Sequence, residues 1–187
     1  VTAALLELTG VACRRGGRML FQDVSLTLSA GEALLVTGAN GSGKSSLLRI
    51  IAGLLRPSAG QVSREGRIAF ADERHALDDA APLSVALARW AALDRNPTTS
   101  LDAVGLQDLG MLPVRLLSTG QRRRAALARV MATGAPLWIL DEPDLGLDAE
   151  GCHLLERRIA AHRAAGGAAI VASHRALDLP GAAGLRL

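Results

Sequence analysis

An α/β fold built on a parallel sheet is what this 187-residue sequence predicts, and three observations carry the prediction. Over the second half, short apolar runs of strand character alternate with longer stretches of helical spacing, which is the pattern of strand–helix–strand units. A glycine-rich loop, "GANGSGKSS" at 38–46, lies between a predicted strand and a predicted helix. A wholly apolar run, "PLWIL", ends on Asp141 and Glu142, at the strand end where open α/β sheets bind ligands.

The elements follow in order. "ALLELTGVAC" and "DVSLTL" read as strands, the latter with period-2 alternation, and "ALLVTG" at 33–38 as a third. A helix begins inside the glycine loop and runs through "GKSSLLRIIAGLL", with Gly53 and Pro57 marking its end. "GQVSREGRIAF" reads as a strand pair or meander. From about 75 to 115 the texture turns helical: "PLSVALARWAAL" has helical apolar spacing, and "TTSLDAVGL" reads as a short capped helix ending at Gly105. "STGQRRRAALARVMA" opens a longer helix. The strand "PLWIL", a helix over "AEGCHLLERRIAAHRAAG" and the strand "AAIVAS" complete the alternation. No repeat, linker or low-complexity tract interrupts it.

Composition narrows the class. One domain is expected at about 150 residues per domain, and a chain of this size buries roughly 70% of its unfolded surface. Apolar residues make up 49% and charged residues 21%, ordinary for a globular protein. The aromatics are only Phe21, Phe70, Trp90 and Trp138, so Leu, Ile, Val and Ala must build the core. Cys13 and Cys152 are far apart and form no C-x-x-C, which suits a reducing cytoplasm rather than a disulfide scaffold or zinc site. No apolar run approaches the roughly 18 residues of a membrane span, and "VTAALLELTG" lacks the basic start of a secretion signal. The formal charge is +3 with dispersed arginines and no aromatic platform, so no nucleic-acid partner is expected.

Gly38, Gly43, Lys44 and Ser45 match G-x-x-x-x-G-K-[ST], a phosphate-binding loop in the strand–helix setting it requires. Its glycines let backbone N–H groups turn inward around phosphate oxygens, and the helix start adds positive potential. Lys44 is the one lysine among 21 basic residues. A compact ammonium fits between phosphates where a planar guanidinium is too bulky. Ser45 is placed to ligate Mg²⁺, with Asp141 holding the ion from the second strand end. Glu142 is a candidate general base for an attacking water, a role worth about 10²–10⁴-fold. Ser118 and Gln121 in "LLSTGQRRR" form a capping box for the next helix, and that helix start is also an anion site. Arg122, Arg123 and Arg124 fall in its first turn, where the dipole disfavours cations; anionic partners or a solvated face would compensate.

The phosphate loop, "LSTGQ", "WILDEP", Asp148 and "SH" at 173–174, in that order, resemble the ATP-binding cassette (ABC) ATPases over nearly the whole chain. The resemblance implies a P-loop NTPase of the ABC ATPase type. Its core would be a mainly parallel sheet, with an N-terminal antiparallel β part and a small helical insertion. One ATP-binding domain would span 1–187, its helical subdomain inserted at about 75–130. ATP and Mg²⁺ are the implied cofactors. Nucleotide-binding residues would be Gly38, Ala39, Asn40, Gly41, Ser42, Gly43, Lys44, Ser45 and Ser46, with Ser45 and Asp141 at the metal. Leu117, Ser118, Thr119, Gly120 and Gln121 would form the signature loop, closing over ATP bound by the other subunit of a head-to-tail dimer. Asp148 would be the D-loop aspartate crossing that interface, and His174 the switch histidine contacting the γ-phosphate, catalytic together with Glu142.

Two positions depart from the family pattern. Where an aromatic residue stacks on adenine, near 14 or 15, this chain has Arg14 and Arg15, whose guanidinium planes can stack with weaker base selectivity. Where a glutamine links Mg²⁺ to the transmembrane partner, near 73, the chain has Asp72, Glu73, Arg74 and His75. Within the family, the small size, the insert "DERHALDDAAPLSVALARWAAL" and the run "LSTGQRRRAALARVMATGAPLWILDEP" are similar to the ATP-binding subunit of the haem exporters of cytochrome c maturation. That likeness implies a peripheral homodimer or paired ATPase on the cytoplasmic face of a bacterial inner membrane, docked on separate membrane subunits. Its ATP hydrolysis would power release of a haem-loaded chaperone. The alternatives are the ATPase of another transporter, a soluble non-transport ABC ATPase, or a nucleotide-binding module without turnover.

Overall fold

The computed structural model describes residues 4–72, 74, 76–93, 101–175 and 177–187. At the start, β1 (Ala4–Arg15) and β2 (Arg18–Ser29) form a long antiparallel hairpin that turns at Gly16 and Gly17. β1 also pairs antiparallel with β4 (Ala59–Arg64), giving a three-stranded sheet in the order β2-β1-β4. Its buried side chains include Leu6, Leu8, Val11, Cys13, Phe21, Val24 and Leu28, and polar residues between them face out.

The second sheet contains β3 (Ala33–Thr37), β5 (Ile68–Ala71), β6 (Leu137–Asp141), β7 (Ala168–Ala172) and β8 (Ala183–Arg186). All of its pairs are parallel, in the order β5-β6-β7-β3-β8. Every residue of β6 and β7 is buried, because central parallel strands are covered on both faces; this is why they read as unbroken apolar runs. Period-2 alternation divides β6 between two cores. Leu137 and Ile139 join β1, β2 and helix α1 (Lys44–Ile51) on one face. Trp138 and Leu140 join helices α2 (Leu83–Leu93), α3 (Thr119–Ala132) and α4 (Ala149–Ala164) on the other. Truncating a fully buried residue such as Ile139 to alanine costs about 2–5 kcal/mol.

Helix α3 is fastened by arginine. The buried Arg129 donates from Nη2 to the Phe70 carbonyl at 2.7 Å and lies over the Trp90 ring at 4.9 Å, tying α3 to β5 and α2. The first-turn arginines do the same work. Arg122 donates to the Leu117 and Arg115 carbonyls, Arg123 to that of Asp72 and Arg124 to that of Gly105. Neutral backbone carbonyl oxygens of the chain itself, rather than the expected anionic partners, accept from these guanidinium groups.

Several local expectations change. β4 and β5 do not pair with each other but enter different sheets, separated by Gly66 at φ 79. Of "TTSLDAVGL", residues 98–100 lie outside the described residues; the rest contributes one 3₁₀ turn, Asp102–Val104, closed by Gly105 in the left-handed conformation. β8 has no counterpart in the sequence reading. Its segment "AGLR" is short, largely exposed and lacks an apolar pattern, so only its pairing with β3 defines it.

Candidate nucleotide site

β3 delivers the chain into the glycine loop at the carboxyl edge of the parallel sheet. Gly38 and Gly43 have φ of 149° and 111°. A Cβ on Gly38 would lie 2.6 Å from the Leu187 carbonyl oxygen, and one on Gly43 would lie 2.9 Å from the Phe21 ring. Glycine is required at both positions by close approach as well as by conformation. α1 then begins at Lys44 with no acidic residue in its first turn, leaving its N–H groups facing the loop.

Lys44 is buried, and its Nζ donates to the carbonyl oxygens of Gly38 at 3.0 Å and Ala39 at 3.2 Å. The ammonium is thus folded over its own loop, with its third N–H available to an anion. The Ser45 hydroxyl faces the Asp141 carboxylate, which comes from the end of β6, closely enough to favour its charged form. Asp141 is buried, and its Oδ1 has no hydrogen-bond partner among the described residues. Burial pushes its carboxyl above the usual range; the Ser45 hydroxyl and the Arg49 charge oppose this, while Glu142 and Asp72 add to it. An orphaned buried carboxylate oxygen beside a hydroxyl suits a small divalent cation. Among the described residues no group of three His, Cys, Asp or Glu could hold a metal. Any ion here must complete its shell with phosphate and water oxygens, as Mg²⁺ does.

Glu142 adopts φ 49°, a left-handed conformation that costs a non-glycine residue on the order of 1–3 kcal/mol. Its N–H donates to the Ala172 carbonyl at 2.8 Å, anchoring the strained turn to the end of β7. Its Oε1 lies 3.0 Å from Nε2 of His174, and both side chains are about one-third exposed. His174 is aimed by Ser173. The buried Ser173 Oγ accepts from the Arg175 N–H at 2.9 Å and donates to the Arg175 carbonyl at 3.1 Å, closing a tight turn after β7. Lys44, Ser45, Asp141, Glu142 and His174 therefore come from the ends of three adjacent strands.

The segment 117–121 is elsewhere. It belongs to the helical face of the sheet, opposite the face on which α1 packs. Leu117 is buried, so only its backbone is presented. Ser118 Oγ accepts from the Gln121 N–H at 3.2 Å, and Gln121 Oε1 accepts from the Ser118 N–H at 2.8 Å, completing the expected capping box. Thr119 and Gly120 pack on Gly146: a Cβ on Gly120 would lie 2.9 Å from the Gly146 carbonyl oxygen. Asp148 caps α4, its Oδ1 accepting from the Gly151 N–H at 2.8 Å. Its carboxylate is half-committed within the chain.

Asp72 was expected only as one of the residues at the coupling position, and Asp144 was not expected as a site member. Asp72 follows β5 as Asp141 ends β6; it bonds Arg49 at 3.6 Å and acts on the Asp141 charge. The signal was available, since "IAFAD" is an apolar strand ending on an aspartate. Asp144 is buried with Oδ1 unpartnered among the described residues, and nothing in "DEPDLG" distinguishes it from a solvated turn. Glu73 lies outside the described residues, while Arg74 donates its N–H to Asp72 Oδ1 at 3.0 Å.

Comparison with known proteins agrees with this geometry. The family model described as ABC transporter matches residues 21–145. A cytochrome c biogenesis ATP-binding export protein, CcmA, of Sphingopyxis alaskensis is 53% identical over 180 residues, covering 94% of this chain and 93% of its own. The protein of the same name from Novosphingobium aromaticivorans is 56% identical over 174 residues, covering 93% and 91%. Among solved structures, an ATP-binding subunit of an ABC transporter superposes with TM-score 0.80 at 25% identity, covering 91% of this chain and 79% of that one. A dimeric ATP-binding cassette in a post-hydrolysis state with ADP and Pi superposes with TM-score 0.76 at 21% identity, covering 91% and 88%.

Proposed function

The chain belongs to the ABC transporter family, and from that premise we propose that it is the ATP-hydrolysing subunit of an exporter serving cytochrome c biogenesis. The observation that carries the reading is the meeting of Lys44, the Ser45–Asp141 pair and the Glu142–His174 pair at one sheet edge, in a chain more than half identical to named CcmA proteins. In this reading the β- and γ-phosphates of ATP sit in loop 38–46. Lys44 exchanges the Gly38 and Ala39 carbonyls for phosphate oxygens, and the start of α1 supports the same charge. Ser45 and Asp141 would hold Mg²⁺, which would supply charge neutralisation to the phosphates. Glu142 accepts a proton from the attacking water. His174, itself fixed by the Ser173 turn, holds the Glu142 carboxylate in position.

The site is incomplete in one chain. Segment 117–121 lies on the other face of the sheet from α1, so a second copy must supply "LSTGQ" to the γ-phosphate, with Asp148 at the boundary. No described helix is long and apolar enough to cross a membrane, and in this reading the chain works with separate membrane subunits. The chain would dock on them at the cytoplasmic side of the inner membrane, and turnover would drive release of a haem-loaded chaperone. The test is ATP hydrolysis by the purified protein and by Glu142→Gln. The variant is expected to bind ATP, accumulate as a dimer and lose about 10²–10⁴-fold in turnover. Wild-type turnover in Glu142→Gln would refute the assignment of the base. Absence of ATP binding by the wild type, or binding that Lys44→Ala leaves untouched, would refute the ATPase reading altogether.

A further inference from the structure

The start of α3 is held by an unusual link. Ser118 is the N-cap, so Leu117 stands just before the cap and Arg122 in the fourth position of the helix. Where both of these positions are apolar, they pack together and fix the angle at which the chain enters the helix. Here they cannot. Leu117 is buried in the core shared by the sheet and helices α2, α3 and α4, and its counterpart is a guanidinium.

The link is polar instead. Arg122 Nε donates to the Leu117 carbonyl at 3.0 Å, and Nη2 donates to the Arg115 carbonyl at 3.2 Å. One edge of the guanidinium plane thus clasps two carbonyls of the approach to the helix, while the Arg122 N–H donates to the Ser118 carbonyl at 2.9 Å. The far end of the clasp is anchored in turn. Arg115 donates its N–H to the Asp79 carbonyl at 3.0 Å and Val114 to that of Ala81 at 3.1 Å, and Pro113 bridges Pro82. Residues 113–115 are therefore stitched to the chain entering α2. Charge does not account for a cation at this place. The helix dipole disfavours it in the first turn, and no carboxylate pairs with Arg122 among the described residues.

Building on the ATPase reading above, in which a second copy supplies "LSTGQ", we propose that Arg122 is a positioning residue for that segment. Its planar fork fixes Leu117 relative to Arg115, and the capping box carries that position through Ser118 to Gln121. Arg122 acts on the reaction only through the backbone it holds. A lysine cannot replace it, because an ammonium is a point charge on a flexible stem and cannot grip two carbonyls along one plane.

Three measurements on Arg122→Ala and Arg122→Lys test this: ATP affinity at concentrations too low for pairing, ATP-driven dimerisation in a Glu142→Gln background, and kcat. Arg122→Ala is expected to leave the single-chain affinity unchanged, because loop 38–46 lies on the other side of the sheet. It should weaken the dimer and lower kcat about tenfold each, in line with misplacement of the segment by a fraction of an ångström. Arg122→Lys keeps the charge and should remain severalfold impaired. Full recovery by Arg122→Lys would overturn the inference, since charge alone would then suffice. Wild-type dimerisation and kcat in Arg122→Ala would overturn it too. So would a single-chain affinity that falls as much as dimerisation does, because Arg122 would then act on the site of its own chain. Absence of an ATP-driven dimer in Glu142→Gln with Arg122 intact would remove the composite-site reading and this inference together.

Discussion

Consider Gly120→Ala, a one-carbon change in the second residue of α3. Its conformation there is ordinary helix, so intrinsic propensity alone predicts that alanine stabilises by about 1 kcal/mol. The packing predicts the opposite. The new Cβ would lie 2.9 Å from the Gly146 carbonyl oxygen, while ordinary contact begins near 3.4 Å, so one backbone segment must move by about half an ångström. Gly146 cannot absorb this easily: its own φ is 79°, and Thr119 Cγ2 already lies 3.0 Å from where its Cβ would be. Overpacking of this kind costs about 1–3 kcal/mol. The net loss of about 0–2 kcal/mol lowers Tm by at most about 4–8 °C for a chain of this size. Turnover is the sensitive readout. A 1 Å misplacement can cost about 10²-fold, so half that shift in the loop facing a second copy should lower kcat about tenfold. ATP affinity of the single chain should be unchanged, because loop 38–46 lies on the other side of the sheet. Gly184→Ala, where a Cβ meets nothing, is the control. A Gly120→Ala protein with raised Tm and full ATPase activity would refute the claim that this contact fixes the segment.

Two further outcomes follow from buried polar groups. Asp141→Asn should raise the Tm of the nucleotide-free chain by about 2–4 °C, about 1 kcal/mol, because it removes a desolvated negative charge, while weakening Mg²⁺-dependent nucleotide binding; a lower Tm measured by calorimetry would contradict the electrostatic account. Burial against Trp138 holds His162 below its ordinary value of 6.5, with hydrogen bonds to the Pro136 and Ala168 backbone opposing. The folded chain therefore favours the neutral ring. Its contribution is fully present above pH 6.5 and is lost as pH falls below it, where the unfolded chain takes up the proton first. Denaturant titrations from pH 8 to 5 should show this loss, and a His162→Asn variant should show a flatter dependence; identical slopes would rule His162 out as the source.

Much of the site was legible because its members carry local signatures. Lys44 and Ser45 are set by a loop whose glycines have a steric reason, and Asp141 and Glu142 by an apolar run that must be a buried strand. The capping box of Ser118 and Gln121 was legible for the same reason: it closes within four residues. Arg122, Arg123 and Arg124 were not. Their partners are carbonyls of Asp72 and Gly105 as well as of their own neighbourhood, and a backbone acceptor leaves no trace in side-chain identity. β8 was hidden likewise, since a short exposed strand is defined by its neighbour.

The sequence by itself determined the α/β class, the phosphate loop and the chemistry of its lysine, because period, glycine placement and charge type act over a few residues. Only the tertiary structure decided three things. It brought Glu142 within 3.0 Å of His174 from a different strand. It put "LSTGQ" on the opposite face from α1, away from the phosphate loop of its own chain. It also buried Phe21 under Gly43. The physical reason is common to all three. Each depends on strand order in the parallel sheet and on which face a side chain takes, and neither is written in any short stretch of residues.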